Sequence, residues 1–159
     1  MRTKDESKEQ AIREKAIEMI VKEGFEGLSM QKLAKEANIS PATIYLYFKN
    51  KEDMLNQLYM GIEQLFTDVI LKGFSPEMNF EEGMWIQWKN RFAYANRYPY
   101  NFSFMEQFRS SPLINHKDIR ESPFKEAMAK FFHNAVRRNE IIELPVEIFW
   151  SIGYGPYTV

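Results

Sequence analysis

Apolar side chains recur every three or four residues along most of this chain, a spacing that places them on one face of an α-helix. Strict alternation of apolar and polar residues, which is typical of a half-buried strand, does not occur. Glycines and prolines fall mostly between the periodic stretches, where glycine ends one helix and proline begins another. The pattern therefore predicts an all-α fold.

The composition supports a folded protein and excludes several kinds of site. Of the 159 residues, 45% are hydrophobic and 15% are aromatic, which is enough apolar surface for a buried core. Cysteine is absent, so disulfides, thiolate metal ligands and thiol nucleophiles are excluded. The first residues lack the apolar core of a signal peptide, and no run of about 18 apolar residues could span a bilayer. We expect a cytoplasmic protein with no membrane partner.

The formal charges nearly cancel, because 21 basic side chains are balanced by 22 acidic ones. Neither half of the chain is a basic block. Any contact with nucleic acid would therefore depend on the local arrangement of side chains, and non-specific affinity should be modest.

Two short helices joined by a tight turn are predicted ahead of residue 50. Ser29 is suited to cap the first helix, because a serine hydroxyl accepts a hydrogen bond from the N–H groups of a first turn. Asn38 follows at a position where a tight turn needs a positive φ. Ser40 and Pro41 then provide the cap and first residue of the second helix, which we expect to continue through Phe48.

The second of these helices has one apolar side and one open side. Ile44 and Phe48 are four residues apart, so both lie on the side that is directed to the core. Pro41 and Ala42 are small residues at the start of the helix, where they would allow close approach to base edges. This is the arrangement of a helix-turn-helix, whose second helix enters the major groove of DNA.

Two segments resemble the DNA-binding domain of TetR/AcrR-family transcriptional regulators: GFEGLSMQKLA at residues 24–34 and ISPATIYLYFKNKE at residues 39–52. The most specific part is TIYLYFKNKE at residues 43–52. The resemblance covers about residues 8–60. It implies an N-terminal three-helix helix-turn-helix domain, followed by an α-helical ligand-binding and dimerisation domain.

The resemblance also assigns contacts to single residues. It implies base-edge contacts by Gln31, Pro41, Ala42 and Tyr45 and phosphate contacts by Ser29, Thr43, Tyr47 and Lys51, with Ser40 completing the predicted DNA-binding set. Two alternatives stay open at this point. Tyr45 and Tyr47 could brace the small domain, and Lys51 could be an ordinary solvated lysine.

We expect three parts: a helix-turn-helix DNA-binding domain at 1–50, a long connecting helix at 51–74, and a helical effector-binding and dimerisation domain at 75–159. Periodicity predicts further helices at about 79–97, 100–109, 122–138 and from 145 onward. The resemblance implies a homodimer formed through two C-terminal helices. The chain stops at Val159 inside the first of them, so we expect this domain to be truncated.

The C-terminal part is rich in aromatic and methionine side chains at helical spacing. Such stripes commonly form a core, but the resemblance implies an effector pocket between helices of this domain. We predict that the pocket is lined by Trp85, Trp88, Phe92, Phe104, Met105, Phe108 and Phe131. This composition favours a hydrophobic or aromatic small molecule, including a cationic one that Glu106 could neutralise.

Catalytic and metal-binding patterns are weak. The spacing of His116-x-Asp118-x-x-Glu121 is too loose for the usual metal sites. The Gly-Tyr-Gly segment at 153–155 follows no predicted strand, so it does not predict a phosphate-binding loop. We expect no enzyme activity, no metal and no cofactor.

Together these patterns predict a DNA-binding transcriptional regulator. We expect a dimeric repressor that binds a palindromic operator on double-stranded DNA and is released by a small-molecule effector. One alternative is a small-molecule-binding module without operator binding. A small all-α enzyme would need a catalytic constellation, and the sequence contains none.

Overall fold

A computed structural model describes residues 5–109 and 123–154. They form helices α1 (Glu6–Gly27), α2 (Met30–Glu36), α3 (Pro41–Ile44), α4 (Lys51–Ile70), α5 (Phe80–Arg97), α6 (Pro99–Arg109), α7 (Pro123–Arg137) and α8 (Val146–Tyr154). No strand occurs in these ranges, which confirms the predicted all-α fold. The four helices predicted after residue 75 begin within one residue of their observed starts. In the part of the chain that is described, no helix combines the length and hydropathy needed to cross a bilayer.

The contacts divide the chain into two compact units. The first unit comprises residues 1–66 and 95–115, and the second comprises residues 67–94 and 116–159. Both α4 and α5 contain a boundary between units, so each of these helices contributes one segment to each unit. The boundaries predicted near residues 50 and 74 separate functions and not groups of contacts, so they stay predictions.

The core of the first unit combines aliphatic and aromatic side chains. Its buried members include Ile12, Ala16 and Ile20 of α1, Leu33 and Ala34 of α2, Met54 and Leu58 of α4, and Phe104 and Phe108 of α6. The ring of Phe25 lies edge-to-face on those of Phe104 and Phe108, with centroids 5.9 and 5.8 Å apart. Tyr59 of α4 stacks on Phe108 at 4.4 Å. α1 therefore packs on both α2 and α6.

The end of α1 depends on Gly24. Its φ of 74° and ψ of 176° interrupt the helix, in a region that side chains with a Cβ rarely adopt. The backbone leaves helical geometry at this glycine, directly after Glu23. Three further residues continue as a short turn to Gly27 before the chain enters the cap of α2.

The core of the second unit is centred on Phe131 of α7. Its ring contacts Phe74 edge-to-face at 5.1 Å and stacks on Phe80 at 5.8 Å. Gly83 of α5 leaves room for the same ring, because a Cβ at that position would lie 2.4 Å from it. The Phe131 side chain of α7 therefore packs against the backbone of α5 at Gly83.

Candidate nucleic-acid interface

Local hydrogen bonds build the first half of the helix-turn-helix. The Ser29 hydroxyl accepts from the backbone N–H of Lys32 at 3.1 Å, which confirms the predicted cap of α2. Asn38 has a φ of 54°, the positive value that the turn was predicted to need. The backbone N–H of Ile39 then returns to the carbonyl oxygen of Ala34 at 2.9 Å, which closes α2.

The second half begins with the predicted pair of Ser40 and Pro41. The Ser40 hydroxyl accepts from the backbone N–H of Thr43 at 3.2 Å, and Pro41 is the first residue of α3. The hydroxyls of Ser40 and Thr43 also share a hydrogen bond of 2.9 Å. The start of α3 is therefore held in place by its own side chains.

The length of α3 corrects the prediction. The α-helix ends at Ile44 and does not continue through Phe48. The backbone N–H groups that follow bond in two patterns. Those of Leu46 and Tyr47 donate to carbonyl oxygens three residues back, of Thr43 at 3.2 Å and of Ile44 at 2.9 Å. That of Phe48 donates to the carbonyl oxygen four residues back, also of Ile44, at 3.1 Å. The next N–H, that of Lys49, is taken by the Asp53 carboxylate at 2.8 Å, so the helical ladder cannot extend further.

The predicted division of sides is confirmed for this segment. Ile44 and Phe48 are fully buried. All four residues to which base-edge contacts were assigned are exposed, and they lie on α2, on α3 and directly after α3: Gln31, Pro41, Ala42 and Tyr45. Tyr45 is 54% exposed, so its ring does not brace the core. Ser29 and Ser40 are exposed as well.

Tyr47 is placed differently from the expectation of an exposed flank. Its side chain is buried, and its hydroxyl donates to the backbone oxygen of Asp5 at 3.2 Å and accepts from the N–H of the same residue at 3.2 Å. The ring therefore braces the start of α1. Its assigned contact with phosphate stays a prediction.

Asp5 is a positioning residue that the sequence reasoning missed. Its carboxylate caps α1 by accepting from the N–H groups of Ser7 and Lys8. Its backbone holds the Tyr47 hydroxyl. An aspartate directly before an amphipathic stretch is a known cap signal and could have identified the first of these roles.

Lys51 also has a structural contact. Its ammonium group donates to the carbonyl oxygen of Phe25 at 2.7 Å, near the C-terminal end of α1. The side chain is therefore not simply solvated, and its assigned contact with phosphate stays a prediction. An ammonium group has three N–H donors, so one bond to a carbonyl leaves two for another acceptor.

Electrostatics around α3 come from its neighbours, because α3 itself carries no charged side chain. Lys35 and Lys49 are exposed on either side of it along the chain, and Lys32 is paired with Glu23. The carboxyl of Asp53 accepts from the backbone N–H of Lys49 and from Gln57, which holds its pKa below the usual value. The exposed positive charge near α3 is therefore small, in agreement with the nearly equal numbers of basic and acidic side chains in the chain.

Known proteins with the same pattern identify the family. Residues 12–58 match the family model described as bacterial regulatory proteins, tetR family. An uncharacterized HTH-type transcriptional regulator of Haemophilus influenzae is 34% identical over 134 residues, which is 84% of this chain and 71% of the relative. This chain belongs to the TetR family. It is therefore a transcriptional regulator with a DNA-binding helix-turn-helix, and not an enzyme.

Two further comparisons cover different lengths of the chain. A solved TetR family transcription regulator from Marinobacter aquaeolei matches with a TM-score of 0.75 and 26% identity, covering 98% of this chain and 82% of that one. The fatty acid metabolism regulator protein of Bacillus subtilis is 42% identical over 67 residues, which is 39% of this chain and 34% of that protein. The fold match therefore extends far beyond the helix-turn-helix.

The residues predicted to line a TetR-type effector pocket fall in both units. Phe104, Met105 and Phe108 are buried in the first unit. The others, Trp85, Trp88, Phe92 and Phe131, belong to the second unit. There Phe131 is buried in the core, whereas Trp85 is 66% and Phe92 is 65% exposed. The seven side chains thus have different environments, and their role in binding an effector stays a prediction.

Each unit contains a cavity of its own. In the first unit a cavity of about 490 Å³ is lined by Glu14, Glu18, Arg97, Tyr98 and Tyr100, among others. In the second unit a cavity of about 280 Å³ is lined mainly by apolar residues, which include Phe132, Ile142, Leu144 and Phe149. None of the predicted effector-pocket residues lines either cavity.

The weak metal-ligand pattern of His116, Asp118 and Glu121 lies outside the described residues. Gly155, in the glycine-containing segment near the end of the chain, lies outside them too. Over residues 5–109 and 123–154, no group of three or more potential metal-ligating side chains occurs.

Proposed function

We propose that this TetR-family regulator is a cytoplasmic, homodimeric repressor that binds a palindromic operator and leaves it when a small apolar effector binds. The observation that carries the proposal is the division of α3 and its flanking residues. Ile44 and Phe48 anchor the segment in the core, while Pro41, Ala42 and Tyr45 are exposed. Two such segments in a dimer would read two half-sites of DNA.

Within this proposal the predicted DNA-binding residues have two roles. Gln31, Pro41, Ala42 and Tyr45 contact base edges, and Ser29, Ser40, Thr43, Tyr47 and Lys51 contact or position phosphates. The small side chains of Pro41 and Ala42 permit close approach to the bases. Tyr45 supplies a hydroxyl and a large apolar ring, so it is the residue on which sequence preference should depend most.

Effector release would act through α4. This helix begins at Lys51, three residues after Phe48, and continues to Ile70, so it contributes to both units. Operator half-sites one helical turn apart require recognition segments roughly 34–36 Å apart. A displacement of α4 that changes this separation by a few ångströms would weaken binding, provided that the effector prefers the DNA-incompetent state.

An apolar effector is supported by two observations. The chain is 15% aromatic, and many of these side chains lie beyond the helix-turn-helix, including Trp85, Trp88, Phe92, Phe104, Phe108 and Phe131, with Met105 among them. The similar protein of Bacillus subtilis is a regulator of fatty acid metabolism. Aromatic and methionine side chains stabilise apolar ligands through burial of surface and ring contacts.

The proposal is tested by selecting genomic fragments with the purified full chain and titrating the enriched fragment. Tyr45→Ala should change the preference among operator variants by about 1–3 kcal/mol, because one base contact is lost. Met60→Ala is the matched control, since Met60 is 56% exposed in the same unit and Tyr45 is 54% exposed.

Two outcomes would contradict the proposal. If no fragment is enriched, the alternative of a small-molecule-binding module without operator binding is correct. If Tyr45→Ala weakens binding equally on every operator variant, Tyr45 positions the backbone and does not read bases.

A further inference from the structure

A stripe of polar side chains is buried inside the second unit. Gln87, Arg91 and Tyr94 are separated by four and three residues, so they lie on one face of α5. All three are buried, and Arg91 is only 3% exposed. Burial of a guanidinium costs free energy that an apolar side chain of similar size avoids. A stripe of this kind is therefore more typical of a binding site than of a core.

Two other helices of the second unit reach the same stripe. The Gln87 side chain donates to the carbonyl oxygen of Ile70, the last residue of α4, at 3.1 Å, and the buried Thr67 lies one turn earlier. From α8, the ring of Tyr154 lies against Arg91, with 4.5 Å between the guanidinium carbon and the ring centroid. α4 thus contacts the stripe at Gln87, and α8 contacts it at Arg91.

Several polar atoms in this region have unused hydrogen-bonding capacity. The hydroxyls of Thr67 and Tyr154 and the side-chain carbonyl oxygen of Gln87 are buried without a hydrogen-bond partner among the described residues. Buried polar atoms in native proteins are nearly always paired, so these atoms can each accept or donate a hydrogen bond to a water or a bound molecule. Burial raises the pKa of the Tyr154 hydroxyl, which therefore stays protonated and available as a donor.

The charge of the stripe selects the kind of molecule. Among the described residues of the second unit, the buried polar and charged side chains are Thr67, Gln87, Arg91 and Asn134, and none is a carboxylate. A guanidinium has five N–H donors, and a carboxylate bound side-on uses two of them. Arg91 can therefore bind an anion in addition to its other contacts.

We infer that the effector is an apolar acid whose carboxylate is bound by Arg91 and the Tyr154 hydroxyl. The inference rests on the proposed effector-released repressor and names the chemistry of its ligand. Met84, one turn before Gln87 on the same buried face, contacts the apolar part of the molecule. The free oxygen of Gln87 accepts a hydrogen bond from a water or a ligand hydroxyl beside the carboxylate. The inference replaces the cationic effector that the sequence left open with an acidic one.

The test compares three ligands that differ in the head group alone: decanoate, decanol and decylamine. Each is titrated into the full chain, with tryptophan fluorescence as the readout. Trp88 suits this purpose because its indole N–H donates to the carbonyl oxygen of Gly153 at 2.8 Å, next to Tyr154. We expect the affinity for decanoate to be at least about ten-fold higher than that for decanol, because a charge-assisted hydrogen bond contributes that much binding free energy. We expect no saturable signal with decylamine.

Variants assign the preference to a residue. Arg91→Met should bind decanoate and decanol with equal affinity, whereas the control Arg97→Met, an exposed arginine on the same helix, should keep the preference. Tyr154→Phe should reduce the preference without abolishing it. Circular dichroism shows whether Arg91→Met folds. If it does not, the comparison of the three ligands on the unaltered chain still decides whether the site prefers a carboxylate.

The inference is overturned if none of the three ligands binds, if decanol binds as well as decanoate, or if Arg91→Met keeps the preference. Operator release is measured separately, which distinguishes the two claims. Release by an uncharged molecule would support the repressor and overturn the carboxylate site. If decanoate binds in a way that depends on Arg91 but the chain selects no DNA, the carboxylate site is supported and the repressor is contradicted.

Discussion

At the scale of single residues, Lys51 links the stability of the first unit to its proposed contact with DNA. One N–H of its ammonium group is used by the carbonyl oxygen of Phe25 at 2.7 Å. That bond fixes the side chain, so the remaining donors are already positioned when a phosphate approaches. A fixed cation loses less side-chain entropy on binding than a free one.

Lys51→Ala should therefore weaken binding about equally on all DNA sequences and reduce the salt dependence of the affinity by roughly one counterion per site. The measurement is the slope of affinity against salt concentration on the selected operator and on unrelated DNA. Lys22→Ala, which removes an exposed lysine paired with Glu18 on α1, is the control. A loss that depends on sequence, with an unchanged slope, would show that Lys51 does not contact phosphate.

Sequence reasoning at this scale succeeded where the partner is close along the chain and failed where it is distant. The capping hydroxyls of Ser29 and Ser40 bond to N–H groups three residues away, so composition and spacing are sufficient to predict them. Tyr47 bonds to Asp5 and Lys51 to Phe25, and no local pattern indicates either contact. The sequence left open that Tyr47 braces the small domain, but it predicted neither the partner of Tyr47 nor the structural contact of Lys51.

At the scale of elements, Gly24 separates α1 from the turn that leads to α2. Its φ of 74° and ψ of 176° lie in a region that is nearly restricted to glycine, and a Cβ there would meet no atom within 4 Å. Any effect of a substitution must therefore come from the backbone and not from a clash.

Gly24→Ala should destabilise the first unit by about 1–3 kcal/mol through this strain. Gly61→Ala is the matched control, because a Cβ at Gly61 also meets nothing within 4 Å but the residue lies inside α4. The control should stabilise the protein by about 0.5–1 kcal/mol. Chemical denaturation measures both, and equal effects of the two substitutions would refute the assigned backbone role.

The start of α4 is held by a reciprocal pair of bonds. The Asn50 side chain accepts from the backbone N–H of Asp53 at 2.8 Å, and the Asp53 carboxylate accepts from that of Lys49 at 2.8 Å. Asparagine is a favoured capping residue, so the sequence itself indicates the cap at Asn50. The end of α3 at Ile44 was not predicted, because it depends on the bonds that follow it, in which the N–H groups of Leu46 and Tyr47 donate to carbonyl oxygens three residues back.

The Asp53 cap should make stability depend on pH in a defined direction. Its pKa is lowered in the folded protein by the N–H of Lys49 and by Gln57, relative to about 3.9 in an unfolded chain. Its contribution is therefore complete above about pH 4 and is lost as the pH falls through the lower folded value. Urea unfolding of Asp53→Asn should show a smaller decline from pH 6 to pH 3 than the unaltered chain.

Glu26→Gln, which neutralises an exposed carboxylate of the same unit, provides the control for this measurement. If Asp53→Asn and Glu26→Gln have the same pH profile, the Asp53 carboxylate does not stabilise the junction between α3 and α4.

At the scale of the whole molecule, the helical order and the helix-turn-helix were predictable because periodicity and caps are local signals. The buried polar stripe was not predicted. Arg91 and Gln87 occur among aromatic residues of α5, and the sequence does not show that α4 and α8 enclose their side of the helix. The prediction of the effector pocket from aromatic residues had the same weakness, because Trp85 and Phe92 are largely exposed while Phe131 is buried.

The most direct test of the central claim is a hydroxyl-radical footprint of the full chain on its selected operator. Two protected half-sites with centres roughly 34–36 Å apart, related by a palindrome, are expected because two α3 segments enter successive major grooves. Both protections should disappear together when a releasing effector is added. Protection of a single site, or two half-sites that respond independently to the effector, would contradict a dimeric repressor released as one unit.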